Sequence, residues 1–162
     1  MKKYIEIKPG YLYHIKDEFF DIVNDNSLMQ NYEKGKRRPT YFTIKDGEIL
    51  WFIPISSKVD KYQKIIDNKI KKYGFCNTIL IEKIFDEPSA ILIQNAFPIL
   101  EKYIDHVHLK NGKPARVSEK LETIIYKSFR ETMELNNKGK KVFFFDIDKI
   151  KNQMLEELKE YK

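Results

Sequence analysis

The chain has 162 residues, the size of one domain with room for a proper core, read here as a single unit over 1–162. Hydrophobic residues at 42% and aromatics at 14% exclude a disordered chain, and 30 basic residues against 24 acidic leave a charge of +6. That excess favours a polyanion such as nucleic acid, although a lysine-rich composition alone gives the same sign. Cys76 is the single cysteine, which excludes a disulfide framework or a cysteine metal cluster and fits a reducing compartment. No stretch suits a signal peptide or a membrane span, so a soluble, cytoplasmic protein is expected.

In chain order, residues 4–8 read as a short strand that Pro9-Gly10 breaks. Tyr11 to Ile15 alternate as a strand, and Asp17 is the N-cap of a short helix carrying Phe19, Phe20, Ile22 and Val23. Asn24 to Ser27 end that helix, and residues 30–38 form a polar, mostly basic loop. Asp46-Gly47 then joins two runs rich in β-branched and aromatic residues, the strongest hairpin signal in the chain. Pro54 is expected to end the second of these strands. Ser56-Ser57-Lys58 opens a helix whose apolar stripe is Val59, Tyr62, Ile66, Ile70 and Tyr73, with Gly74 as its stop. Lys58, Lys61, Lys64, Lys69, Lys71 and Lys72 cover the rest of it. Thr78–Ile84 and Ala90–Gln94 read as core strands about an 86–89 turn, and Phe97-Pro98 redirects the chain. Asn111-Gly112 marks a second hairpin. Ser118 starts a long helix that Gly139 closes, Val142–Phe145 reads as a last strand, and Asp146 caps a terminal helix. The expected fold is α+β, a small, strongly bent, mostly antiparallel sheet with three or four helices packed around it.

The common catalytic signatures are absent from the sequence: no P-loop, no G-x-G-x-x-G, no H-E-x-x-H and no G-x-S-x-G. His106 and His108 share a strand face at a spacing that can bind zinc, but no third ligand is evident, and exposed hairpin positions account for them. No metal or cofactor is expected. The informative stretch is the strand running into the helix at Ser56-Ser57-Lys58, because backbone N–H groups and the helix dipole both favour an anion there. Two readings stand side by side. Ser57-Lys58-Val59-Asp60 fits a capping box, which explains Ser57 and Asp60 structurally. It leaves Ser56 unexplained, and a lysine in the first turn opposes the dipole, which points to phosphate. Arg37 and Arg38 are either a solvated loop or phosphate clamps. Tyr13, Tyr41, Tyr62 and Phe42 are candidates for stacking on unpaired bases, and Gln94 and Asn95 for reading a base edge or bonding a loop.

R-P-T-Y-F from Arg38, L-W-F-I-P-I-S-S-K-V-D-K-Y from Leu50, I-L-I-Q-N-A-F-P-I from Ile91 and Tyr13 to Asp21 together carry a family likeness. Over roughly residues 11–150 the chain resembles the toxins of type III toxin–antitoxin systems, in the CptN branch of the ToxN/AbiQ group. The resemblance implies an SH3-like barrel related to the Kid/MazF toxins. It implies a metal-independent endoribonuclease leaving 2′,3′-cyclic phosphate and 5′-hydroxyl ends. It further implies inhibition by a small pseudoknotted RNA made from repeats, held with the protein in a hetero-oligomer such as a closed ring. The catalytic positions it implies are Arg37 or Arg38 together with Ser56, Ser57 and Lys58. RNA contacts are expected from Lys34, Lys36, Lys61, Lys64, Tyr13, Tyr41, Tyr62 and Gln94. The chain departs from the pattern in a longer loop before Pro39 and in Thr40, which stands where a histidine is expected. The rival reading is a non-catalytic RNA- or DNA-binding module on the same barrel, which needs the basic surface but no particular arrangement at Ser57.

Overall fold

The computed structural model describes residues 7–23 and 40–160. The expected strand over 4–8 lies mostly outside them. So do the stop at 24–27 and the loop 30–38 with Lys34, Lys36, Arg37 and Arg38.

The described chain is α+β, with four helices and a mostly antiparallel sheet of seven strands in the order β4-β5-β3-β2-β1-β7, β6 pairing separately with β3. β1 (Leu12–Ile15), β2 (Thr40–Asp46) and β3 (Ile49–Ser56) form its centre. β4 (Ile79–Ile84), β5 (Glu87–Leu92), β6 (Phe97–Ile99) and β7 (Ile104–Val107) extend it. β8 (Leu109–Lys110) and β9 (Lys113–Pro114) make a separate hairpin. The helices are α1 (Asp17–Val23), α2 (Val59–Tyr73), α3 (Glu119–Asn137) and α4 (Ile147–Glu160). The path of pairing ends at β4 and β7, which do not pair with each other among the described residues, so the sheet is open. It is nonetheless curled: Lys110, just past β7, holds its Nζ 5.9 Å from the ring of Phe85, just past β4.

The two central strands form the hairpin that the Asp-Gly signal predicts, in a slightly different frame. Asp46 pairs with Ile49, so the loop residues are Gly47 and Glu48, and Gly47 has φ of +63°. Positive φ at the first loop position only is the II′ arrangement, which favours glycine there. Ile49 to Ile53 are buried without a break because both faces of β3 are covered. Phe52 stacks with Tyr13 and Tyr41 on one face, while Trp51 on the other meets Phe129 of α3 with ring centroids 5.4 Å apart. Phe19 of α1 and Phe145 before α4 close on Phe97. A smaller core of Ile66, Ile79, Ala90 and Leu92 seats α2 on β4 and β5.

Several local expectations are corrected. Pro54 does not end β3, which runs on to Ser56. It falls between the ladder to β6 at Leu50–Phe52 and the ladder to β5 at Ile55–Ser56, a gap where a missing donor is tolerated. The β4–β5 turn is Phe85-Asp86, both at positive φ, and Glu87-Pro88-Ser89 belong to the strand. β4 is an edge strand and only partly buried. Ile93–Asn95 is a 3₁₀ turn, so the predicted strand stops at Leu92. Phe97-Pro98-Ile99 is itself a short strand against β3. Residues 142–145 form no strand, being tied to the rest by the bond from Phe144 N to the Gln94 carbonyl at 2.7 Å. The caps at Ser118 and Asp146, the helix stop at Gly74 and the Asn111-Gly112 turn stand as read.

Candidate functional site: the exit of β3 and the start of α2

β3 leaves the sheet at Ser56, where it is half-buried, and the next residues are exposed at Ser57 and Lys58. Ser56 Oγ accepts the Lys58 N–H at 3.1 Å, and the Val59 N–H is bonded to the Ser57 carbonyl at 2.9 Å. These bonds turn the chain sharply into α2. The N-cap is Lys58, at φ −80° and ψ 60°, with no side-chain cap bond among the described residues. The capping-box reading of Ser57 and Asp60 is therefore corrected: Ser57 lies one residue too early, and its hydroxyl is not engaged in capping. Lysine has no oxygen with which to cap a helix. The helix start consequently presents the exposed Ser57 hydroxyl and Lys58 ammonium without a capping role for either, while the Ser56 hydroxyl holds the turn.

The basic face of α2 is also narrower than its lysine count suggests. Lys61, Lys64, Lys71 and Lys72 are exposed, with Lys61 Nζ 5.4 Å from the Tyr62 ring and Lys72 Nζ 5.2 Å from the Tyr73 ring. Lys69 instead turns inward. Its Nζ donates to Thr78 Oγ1 at 2.9 Å and to Gln94 Oε1 at 2.5 Å. The side that packs is Tyr62, Ile65 and Ile66, half-buried or buried, whereas Ile70 and Tyr73 of the predicted stripe are exposed at 46% and 61%. The helix is thus rotated relative to the expected stripe, with Lys69 on its inner side.

This moves several predicted RNA contacts. Tyr13 and Tyr41 are 2% and 3% exposed, and Phe42 is buried too, so these rings are core and offer no face to a base. Tyr62 is half-buried in the smaller core. Burial pushes the phenols of Tyr41 and Tyr62 up from their ordinary value, so both stay protonated and neither is a base near neutral pH. Gln94 is committed to Lys69 and Thr78, and its backbone carbonyl to Phe144. Its structural reading, a side-chain amide holding a loop, is the one that the contacts favour. Lys34, Lys36, Arg37 and Arg38 lie outside the described residues; Thr40, where description resumes, pairs with Ile55, one residue before Ser56. Sequence reasoning missed the meeting of all three histidines, since His14 supplies the third ring beside His106 and His108.

An open, curled antiparallel sheet with α2 leaving its central strand and α3 and α4 packed on its faces is a fold known from an endoribonuclease toxin. That structure is AbiQ, a lactococcal anti-phage endoribonuclease belonging to the type III toxin–antitoxin system. It superposes with a TM-score of 0.67 over 92% of this chain and 98% of its own, at 12% sequence identity. The expected α+β class, with a mostly antiparallel sheet and helices packed around it, is the one observed, whereas the sheet does not close into the expected barrel among the described residues. No family model matches the chain, and no curated protein matches its sequence. No described helix is long and apolar enough to cross a membrane.

Proposed function

We propose that this chain is the toxin of a type III toxin–antitoxin system in the CptN branch of the ToxN/AbiQ group, a single-domain endoribonuclease acting in the cytoplasm. The observation that carries the reading is the helix start at Ser57-Lys58. It is exposed and uncapped by any side chain among the described residues, and it sits on a fold shared with an endoribonuclease. RNA cleavage there needs no metal. The 2′-hydroxyl of a nucleotide passes its proton to solvent water and its oxygen attacks the adjacent phosphorus. The bond from phosphorus to the 5′-oxygen then breaks, and that oxygen takes up a proton. The products are a 2′,3′-cyclic phosphate and a 5′-hydroxyl. Lys58, the Ser56 and Ser57 hydroxyls and Arg37 or Arg38 supply the positive charge and donors that the developing negative charge requires.

The exposed lysines 61 and 64 extend a cationic track along α2 for substrate and for a repeat-derived pseudoknot antitoxin RNA that covers the same site, with Lys34 and Lys36 proposed as further RNA contacts. Protein and RNA units then alternate in a hetero-oligomer, a closed ring on the family pattern, built on the SH3-like barrel scheme of the Kid/MazF toxins. The alternative, a non-catalytic nucleic-acid module, shares the lysine track and makes no use of Ser57. Purified protein mixed with bulk RNA separates the two: shortened products support the toxin, and retention of intact RNA on the protein supports the module.

A further inference from the structure

Large apolar side chains are left in water where α2 ends. Tyr73 stands exposed in the last turn, and Phe75, just past the Gly74 stop, is 58% exposed. Phe144, ahead of α4, is 59% exposed. The fold ties these segments together through Gln94. Its backbone N–H donates to the Thr78 carbonyl at 3.0 Å, three residues on from Phe75, and its carbonyl accepts the Phe144 N–H. Its side chain takes the Lys69 ammonium from α2. Each aromatic segment also brings lysines. Lys71 and Lys72 precede Tyr73, Lys138, Lys140 and Lys141 precede Phe144, and all five are exposed. A helix end accounts for Lys71 and Lys72, whose charge offsets its carbonyl end. It does not account for three rings in water, or for the lysines beside the third. Exposed rings among cations suit a single-stranded nucleic acid, whose bases stack while its phosphates meet the lysines. An apolar protein face would offer those ammonium groups no partner.

The rings are also joined to the candidate site by charge. Lys61, Lys64, Asn68, Lys71 and Lys72 recur at steps of three and four and are all exposed, so they share one side of α2. The helix carries five lysines against two acidic residues, Asp60 and Asp67. At the far end of this row Lys72 Nζ lies 5.2 Å from the Tyr73 ring. α2 has 15 residues, so at about 1.5 Å per residue its end stands about 22 Å from Lys58. Stacked nucleotides advance about 3.4 Å each, and about seven cover that distance.

We propose that Tyr73, Phe75 and Phe144 form a platform that stacks unpaired bases of substrate RNA, on the strand that leaves the Ser57–Lys58 site along the lysines of α2. It rests on the nuclease reading above. The phosphates of that strand follow Lys61, Lys64 and Lys71, and its bases meet the rings beyond. A long RNA then holds two contacts on one molecule and a short RNA only one. The second contact is made alike before and during reaction, so it acts on KM and not on kcat.

The test uses a mixed-sequence 2′-O-methyl oligonucleotide of about 20 nucleotides, which lacks the attacking hydroxyl and exceeds the span along α2. Its binding is compared by fluorescence anisotropy with that of an abasic strand of the same length and charge. Wild type should prefer the strand with bases. Tyr73→Ala and Phe144→Ala should each narrow that preference about tenfold, the scale of one base–aromatic stack. Cleavage is scored separately on ordinary RNAs of about 20 and about five nucleotides, the second too short for the span. The same variants should raise KM for the longer RNA about tenfold more than for the shorter. No preference for bases in wild type, or a preference that the variants leave unchanged, overturns the platform. Self-association of wild type in light scattering that Tyr73→Ala abolishes assigns the rings to a second copy and also overturns it. Ring-dependent binding without cleavage of either RNA keeps the platform and removes the nuclease reading. Cleavage with ring-independent binding does the reverse.

Discussion

Ser57→Ala and Lys58→Ala separate chemistry from architecture more cleanly in this structure than an N-cap would have allowed. A capping serine replaced by alanine costs about 1 kcal/mol. Ser57 is exposed and makes no cap bond among the described residues, so that cost does not apply, and an exposed substitution should stay within about 0.5 kcal/mol. For a chain of this length 1 kcal/mol moves the melting temperature by about 2–4 °C, so Ser57→Ala should melt within about 2 °C of wild type. Lys58 stands where a cation opposes the helix dipole, so Lys58→Ala should melt at the same temperature or slightly higher. Loss of a preorganised donor to a developing oxyanion should meanwhile lower cleavage about a hundredfold or more, near 2.7 kcal/mol. The assay is initial-rate cleavage of a labelled RNA beside a thermal melt of the same preparation. Two variants that melt like wild type and cleave at its rate would refute the assignment of Ser57 and Lys58 to the reaction.

Trp51 is 3% exposed against Phe129. Trp51→Ala should therefore cost about 3–5 kcal/mol and lower the melting temperature by roughly 6–20 °C, with activity lost through unfolding; an unchanged melt would place the ring outside the core. Lys69→Met removes the donor that Gln94 and Thr78 share beneath α2. It should destabilise by about 1–3 kcal/mol in a denaturant titration, the cost of taking a charged donor from the buried Thr78 hydroxyl and the half-buried Gln94 amide. A variant with full stability and weakened RNA binding would instead put Lys69 on the RNA surface.

The elements with local signatures were legible. Asp46-Gly47, Asn111-Gly112, Ser118 and Asp146 each name a turn or cap by their own chemistry, and each stands within a residue of its expected place. What escaped depends on register and curvature. Phe85 sits in a two-residue turn at φ of +53°, a conformation its side chain does not advertise. Pro54 and Pro98 lie inside strands because β3 changes partner between Phe52 and Ile55, which no local pattern reveals. Tyr13 and Tyr41 alternate like surface aromatics, yet helices cover both faces of the sheet and make them core. Lys69 reads as one more surface lysine until Gln94, 25 residues on, is folded against it. Likewise His14 reaches His108 across 94 residues of sequence, and only the β1–β7 pairing brings them together.

The central claim, metal-free cleavage of RNA, is tested most directly by one incubation. Purified protein and bulk RNA are held in excess EDTA, and the ends of any products are then characterised. The account predicts discrete fragments whose 5′ ends accept phosphate from a kinase without prior dephosphorylation and whose 3′ ends carry a cyclic phosphate. RNA left intact in EDTA but cut when a divalent ion is restored, or fragments with 5′-phosphate ends, would contradict it.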